Sequence, residues 1–250
     1  MMALTIAGFD PSGGAGTLND IKTFHAFGVY GSAVITVLTA QNSKRVEAIE
    51  PVSTDFIDKQ IETLLEDYPI EYTKTGMLYT KENVKLVSEK VVEHGLNVVV
   101  DPVMVAGCGA ILSIDGYAKY VKKYLLPHTL LTTPNIYEAE QLSGIKINSI
   151  EAAIEAAIEI GKICNVVITG GHLSGHNVFY NGSIKVIEDE LIESKNTHGT
   201  GCSYSAAVTA GLAKGCELLE SIEMAGEFVK KSVVNGEWGT LNQFHRFKSM

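Results

Sequence analysis

Basic residues are scarce in this chain: 20 Lys and Arg face 29 Asp and Glu, for a formal charge of −9 at pH 7. They gather nowhere into a cluster, so the footprint that grips a phosphate backbone is missing and a nucleic-acid partner is not expected. Long apolar runs are missing too. Stretches such as Val34 to Thr39 and Val98 to Val100 are strand-length and interrupted by polar residues, which excludes a bilayer-spanning helix. Cysteine is sparse and dispersed. Cys108, Cys164, Cys202 and Cys216 form no CxxC pair, which fits neither a zinc site nor a disulfide scaffold, and a reducing cytoplasm is the simplest setting. Met1 to Gly8 lacks the basic region, apolar segment and cleavage site of an export signal. The glycine loop Ser12-Gly13-Gly14-Ala15-Gly16 is followed by no Gly-Lys-Ser/Thr and is not GxGxxG, so a Walker A loop and a dinucleotide fingerprint are both excluded. With no internal repeat, low-complexity tract or dividing linker, residues 1–250 read as one domain, and 46% hydrophobic residues are enough for a large core.

What the chain does have is a rhythm. Short β-rich apolar runs alternate with helical patterns: Ala3 to Ala7 then Leu18 to Phe27, Ser32 to Ala40 then Thr54 to Asp67, Tyr72 to Met77 then Lys81 to His94. Asn97 to Asp101 precedes a helix expected over Ser113 to Leu126. Leu130 to Thr133 precedes Ile136 to Leu142, and Val166 to Thr169 follows a helix over Ser149 to Ile163. This order predicts an α/β fold, a three-layer sandwich with a mostly parallel sheet between helices on both faces, and the Val-Val-Val and Val-Val-Ile runs suit strands buried on both sides. Asn177 to Asn181 and Ser183 to Ile187 read as a hairpin with a type I′ turn at Asn181-Gly182. Helices over Gly201 to Lys214 and Leu218 to Val234 close the pattern.

Polar and glycine residues recur at the carboxyl ends of the strands, where open parallel sheets bind ligands: Gly8 to Gly16, Gln41-Asn42, Gly76-Met77, Asp101-Pro102, Pro134-Asn135 and Gly170-Gly171-His172. The densest of these features is Asn196 to Ala207, which sets a glycine turn and a cysteine at the start of an apolar helix. Gly199 and Gly201 allow the turn unusual backbone angles, and the helix start offers free amides and positive dipole to a phosphate. Cys202, at the same helix end, is expected to have its thiolate favoured, making it a candidate base or nucleophile; the alternative is a buried, inert cysteine. Asp20 is expected to present a carboxylate one turn into the first helix. Asp101 and Glu138, at adjacent strand ends, suit Mg²⁺ held through water beside phosphates, or else the capping of the helices that follow. His198 orients the anion loop, donates to phosphate, or serves as a local hydrogen-bond donor.

Taken together, these motifs resemble the hydroxymethylpyrimidine kinase and phosphomethylpyrimidine kinase family of thiamine biosynthesis, within the ribokinase-like fold. The resemblance runs through Leu4 to Gly16, Asp20 to Phe24, Thr36 to Asn42, Lys74 to Leu78, Asp101 to Met104, Thr133 to Ala139, Gly170 to His172 and Asn196 to Cys202, nearly the whole chain. It implies ATP-dependent phosphorylation of 4-amino-5-hydroxymethyl-2-methylpyrimidine and then of its monophosphate, with ATP and Mg²⁺ required. Cys202 takes the position of the catalytic base. Gly8, Asp20, Gln41, Met77 and Val103 match positions around the pyrimidine, and Asn135, Thr169, Gly171, Thr197, Gly199, Thr200 and Gly201 match the nucleotide and phosphate side. Asp101 and Glu138 match positions near Mg²⁺. The partner is then a small molecule, and family precedent implies a homo-oligomer, with a dimer as the first expectation. Three departures stand out. Val105 to Ala110 lacks the cation and the acid that often follow Asp-Pro-Val-Met, Thr169 replaces a common Lys, and Gly239 to His245 alters the usual C-terminal turn. Thr169 is shared with related pyridoxal kinases, so a pyridoxal kinase is the nearest alternative; a pyrimidine-binding protein without transfer chemistry is the alternative of another class.

Overall fold

The computed structural model describes residues 1–170, 175–188 and 192–245. Its strands are β1 (Met2–Phe9), β2 (Tyr30–Asn42), β3 (Arg45–Pro51), β4 (Tyr72–Thr75), β5 (Asn97–Val100), β6 (Leu131–Thr132), β7 (Asn165–Ile168), β8 (Asn177–Tyr180) and β9 (Ile184–Ile187). They form one sheet in the order β3-β2-β1-β4-β5-β6-β7-β8-β9, whose strands from β2 through β7 are parallel, with β3 antiparallel at one edge and the β8-β9 hairpin at the other. The helices are α1 (Gly16–Ala26), α2 (Thr54–Asp67), α3 (Lys81–Glu93), α4 (Tyr117–Tyr120), α5 (Ile136–Ser143), α6 (Ile150–Gly161), α7 (Thr200–Ala213) and α8 (Leu218–Val234).

The valine runs explain the layering. In a strand, successive side chains point to opposite faces. Val98 and Val100 of β5 therefore join a core with Ile57, Val84 and Ile160 of α2, α3 and α6, while Val99 joins a second core with Val208 and Ile222 of α7 and α8. Val166 and Ile168 divide from Val167 in the same way. Each such side chain, removed from water, contributes about 1.5–3 kcal/mol. Ser53, Thr80 and Ser149 start α2, α3 and α6 by accepting from the backbone N–H three residues on, which satisfies amides that have no helical partner. No helix among the described residues is long and apolar enough to cross a membrane.

Three local expectations need correction. β3 was not expected; most of its residues are exposed, so the hydrophobic pattern that marks the other strands is absent from it. The helix expected over Ser113 to Leu126 begins only at Tyr117, because Gly116 adopts φ 74° and interrupts the chain, and it continues as a π-helical turn over Val121–Leu125 and a 3₁₀ turn over Leu126–His128. The β8-β9 hairpin forms, but Tyr180 pairs with Ile184, so three residues make the turn. Only Gly182 among them has positive φ, whereas a type I′ turn needs two consecutive residues there.

The strand order reverses at β1, which has β2 on one side and β4 on the other. Helices leaving these strands in opposite directions open a crevice between their carboxyl ends, and the site lies there.

Candidate active site

A cleft of about 990 Å³ opens at this switch point. Two glycine turns from opposite ends of the sequence meet in its wall. Gly199, at φ 90°, packs so closely on the first turn that a Cβ there would lie 1.8 Å from the Gly14 carbonyl oxygen. Gly16, at φ 60°, would place a Cβ 2.2 Å from the Gly8 carbonyl oxygen. Both positions demand glycine twice over, by conformation and by space. Asp10 holds the first turn, accepting from the Ser12 and Ala15 amides at 2.9 Å each. Its Oδ2 also lies 2.8 Å from Nε2 of His198, which ties the two turns together. α7 begins directly beyond, so its first amides and the positive end of its dipole face the cleft beside Thr197, Gly199, Thr200, Gly201 and Cys202.

Behind this wall sits a buried charge cluster. Nζ of Lys74, fully buried near the end of β4, lies 3.0 Å from Oδ2 of Asp20 and 3.6 Å from Oδ2 of Asp101. Thr5 donates to Asp20 at 2.6 Å and Ser205 to Asp101 at 3.2 Å. Burial alone would discharge Lys74, but the opposing charges of Asp20 and Asp101, with the hydrogen bond to Asp20, outweigh it and keep the ammonium protonated. Gly76 makes room for it, since a Cβ there would stand 3.0 Å from Nζ. One cation does not satisfy the carboxylates around it. Burial raises the pKa of Asp101, an effect that Lys74 only partly offsets and Asp20 reinforces. Glu138 is pushed up to about 8, by burial first and by the charge of Asp101 second. Glu138 also closes the capping box at the start of α5: it accepts from the Asn135 amide at 3.0 Å while its own amide donates to the Asn135 side chain. Its other oxygen accepts from the Met104 amide at 3.1 Å.

The expected thiolate at Cys202 is overturned. The thiol lies beside Asp101 and the Gly16 amide, and its pKa is pushed up to about 12. Burial is the main cause; Asp101 and Asp20 add to it, and Lys74 opposes it. Desolvation and two neighbouring carboxylates thus outweigh the helix end. Asp20 is corrected as well, because its carboxylate turns inward to Lys74 and Thr5 and does not line the cleft.

Gly8, Gln41, Met77 and Val103 line the cleft, as do Asn135 and Thr169 and the acids Asp101 and Glu138. Asn135 and Thr169 are joined by a parallel bridge between the ends of neighbouring strands. Gly171, and His172 beside it, lie outside the described residues. Residues 105–111 fold into a small hairpin that lines the cleft, closed by the Val105–Ile111 bridge. The sequence alone assigns Lys74 and Asp10 no individual role. The available signal for Lys74 was a charged residue inside a short strand between buried neighbours, and for Asp10 a carboxylate two residues before a glycine loop.

A family model described as Phosphomethylpyrimidine kinase matches residues 10–244. The hydroxymethylpyrimidine/phosphomethylpyrimidine kinase of Bacillus subtilis (strain 168) is 40% identical over 241 residues, 93% of this chain and 89% of that protein. Among solved structures, the ADP complex of Bacillus subtilis pyridoxal kinase is 40% identical with a TM-score of 0.84, over 93% of this chain and 92% of that one. Pyridoxal kinase from Staphylococcus aureus in complex with pyridoxal is 34% identical with a TM-score of 0.89, over 99% and 94% of the two chains.

Proposed function

This chain belongs to the phosphomethylpyrimidine kinase family, and from that premise we propose that its cleft transfers the γ-phosphoryl group of ATP to 4-amino-5-hydroxymethyl-2-methylpyrimidine and then to the resulting monophosphate. The observation that carries the reading is the convergence on one cleft of the α7 amide turn, Cys202 and the buried carboxylates, beside the side chains suited to an aminopyrimidine.

Gln41 serves the pyrimidine edge because its amide both donates and accepts, with Gly8, Met77 and Val103 shaping the rest of that end. Asn135, Thr169, Gly171, Thr197, Thr200 and the amides at Gly199 and Gly201 serve the nucleotide, so that acceptor and phosphoryl group meet at the start of α7. Cys202 receives the hydroxyl proton as the new O–P bond forms and the bond to ADP breaks. Because its thiol is neutral, the base is the minority thiolate, and Lys74 is the neighbouring charge that favours it. Asp20 acts on the site through Lys74.

The residues present fit a divalent cation. Asp101 and Glu138 are buried and offer only oxygen; burial raises the pKa of both, and the charge of Asp101 raises Glu138 further, which marks a place short of positive charge. They would hold Mg²⁺ through water, since both Glu138 oxygens already accept from backbone amides. The ion would neutralise charge on the ATP phosphates.

Pyridoxal is the second acceptor to test, because structural neighbours at 34–40% identity are pyridoxal kinases and one holds pyridoxal. The experiment is ADP release with Mg-ATP and each acceptor separately, with mass spectrometry counting phosphates on each product. A pyrimidine diphosphate establishes both transfers, product from pyridoxal alone moves the assignment to that vitamin, and no product from either leaves a pyrimidine-binding protein. A single domain, a cytoplasmic location and a homodimer complete the reading. The one continuous sheet supports the single domain and the exposed edge strand β3 supports the dimer, which light scattering of the purified protein tests.

A further inference from the structure

The proposed second transfer, on which this inference rests, brings an extra phosphate into the cleft, because its substrate is itself a phosphomonoester. That phosphate needs a cationic partner, and the cleft-lining hairpin supplies none: Val105, Ala106, Gly107, Cys108, Gly109 and Ala110 carry no charge. Among the described residues of the cleft wall, the basic side chains are Lys74, Lys230 and His198. Lys74 is committed to Asp20 and Asp101, and Lys230 stands on α8 with Gly226, Val229 and Val233.

His198 is built differently. It is only 7% exposed, its Nε2 is tied to Asp10, and its Nδ1 is buried without a hydrogen-bond partner. A buried polar atom left so is costly, on the order of 1–3 kcal/mol, unless a ligand satisfies it. The ring is clamped: a Cβ on Gly14 would stand 2.3 Å from its Cδ2. Its free nitrogen faces the hairpin, where a Cβ on Gly107 would lie 3.8 Å from Nδ1. The unsatisfied atom is therefore buried between the α7 turn and the hairpin, both of which contribute residues to the cleft wall.

We propose that His198 anchors the phosphate of the monophosphate substrate: oriented by Asp10 through Nε2, it donates from Nδ1 to a phosphate oxygen and supplies the positive charge that the hairpin lacks. Asp10 can support a cationic ring, because hydrogen bonds from His198, Ser12 and Ala15 outweigh its burial and hold its carboxyl below the usual carboxylate range. With Nε2–H given to Asp10, a proton on Nδ1 makes the imidazolium, the form that a phosphate dianion selects.

The test is calorimetric titration of the pyrimidine alcohol and of its monophosphate into the wild-type protein and His198→Gln, whose amide can keep the bond to Asp10 while removing the Nδ1 donor. The expected result is that the preference for monophosphate over alcohol falls about tenfold or more in the variant. In steady-state assays the loss should appear in KM for the monophosphate more than in kcat. An unchanged preference overturns the proposal, and so does a wild-type protein that fails to bind the monophosphate. If His198→Gln does not fold, His198→Asn, which also removes the charge, takes its place. Absence of ADP release would defeat the kinase reading alone, since the binding ratio is measured without turnover.

Discussion

Lys74 and Asp20, 54 positions apart in sequence, form an ion pair at 3.0 Å with neither side chain exposed to water. Removing the cation would leave two buried carboxylates facing one another, Asp20 and Asp101. Lys74→Met is expected to destabilise the fold by about 3–5 kcal/mol, the cost of stranding a buried charge. Chemical denaturation measures it. Pairing that change with Asp20→Asn should recover part of the loss, because the stranded charge is then gone; a double variant no more stable than Lys74→Met would show that the ion pair is not what Lys74 supplies.

Cys202 carries a pH prediction whose sign follows from its environment. Its thiol is pushed up to about 12, so at neutral pH only a small fraction is thiolate, and that fraction grows about tenfold per pH unit. If the thiolate is the base, kcat/KM of the first transfer should climb steadily from neutral into alkaline pH. Cys202→Ala should lower kcat about 10²–10⁴-fold and flatten the climb. Full turnover by Cys202→Ala would remove the residue from the chemistry.

Much of the fold was legible because its signals are local. Val98-Val99-Val100 can satisfy two apolar faces only inside a covered sheet, and the serine and threonine caps announce their helices within three residues. β3 was not legible, because Arg45 to Pro51 interleaves charge with apolar residues and buries little; its pairing with β2 is started by Asn42, whose Oδ1 accepts from the Lys44 and Arg45 amides. The site was legible as a set of strand ends and glycine turns. What sequence could not supply was which charges lie behind the wall. Asp20 reads as a ligand contact until Lys74 is found beside it, and Cys202 reads as an activated thiol until its burial and Asp101 are counted.

Gly199 is expected to tolerate no side chain. Gly199→Ala would force a φ near 90° on a residue with a Cβ and drive that Cβ into the Gly14 carbonyl oxygen. Strain of this kind costs about 1–3 kcal/mol before the clash is counted, or a fall in Tm of several degrees for a chain of this size. KM for ATP should rise as well, because the turn that presents the α7 amides must shift. Gly182→Ala, also at positive φ but with open space around it, should lower Tm less and leave KM for ATP in place. Equal effects of the two on KM would mean that the contact between the glycine turns does not shape the nucleotide site.

Glu138 predicts how stability depends on pH and metal. Its carboxyl is raised from an ordinary value of 4.5 to about 8, so between those values the folded protein binds a proton that the unfolded chain has released. Stability of the ligand-free protein should therefore fall as pH rises through this window, by at most about 1.4 kcal/mol per unit from this group, and level off above it. Glu138→Gln, which is neutral at every pH, should flatten that slope. Mg²⁺ competes with the proton for the same carboxylates, so added Mg²⁺ should raise Tm more at pH 9 than at pH 6 in the wild type and much less in the variant. Thermal melts at the two pH values, with and without Mg²⁺, provide the check. A Mg²⁺ effect that is the same at both pH values, or that survives Glu138→Gln intact, would place the ion elsewhere in the cleft.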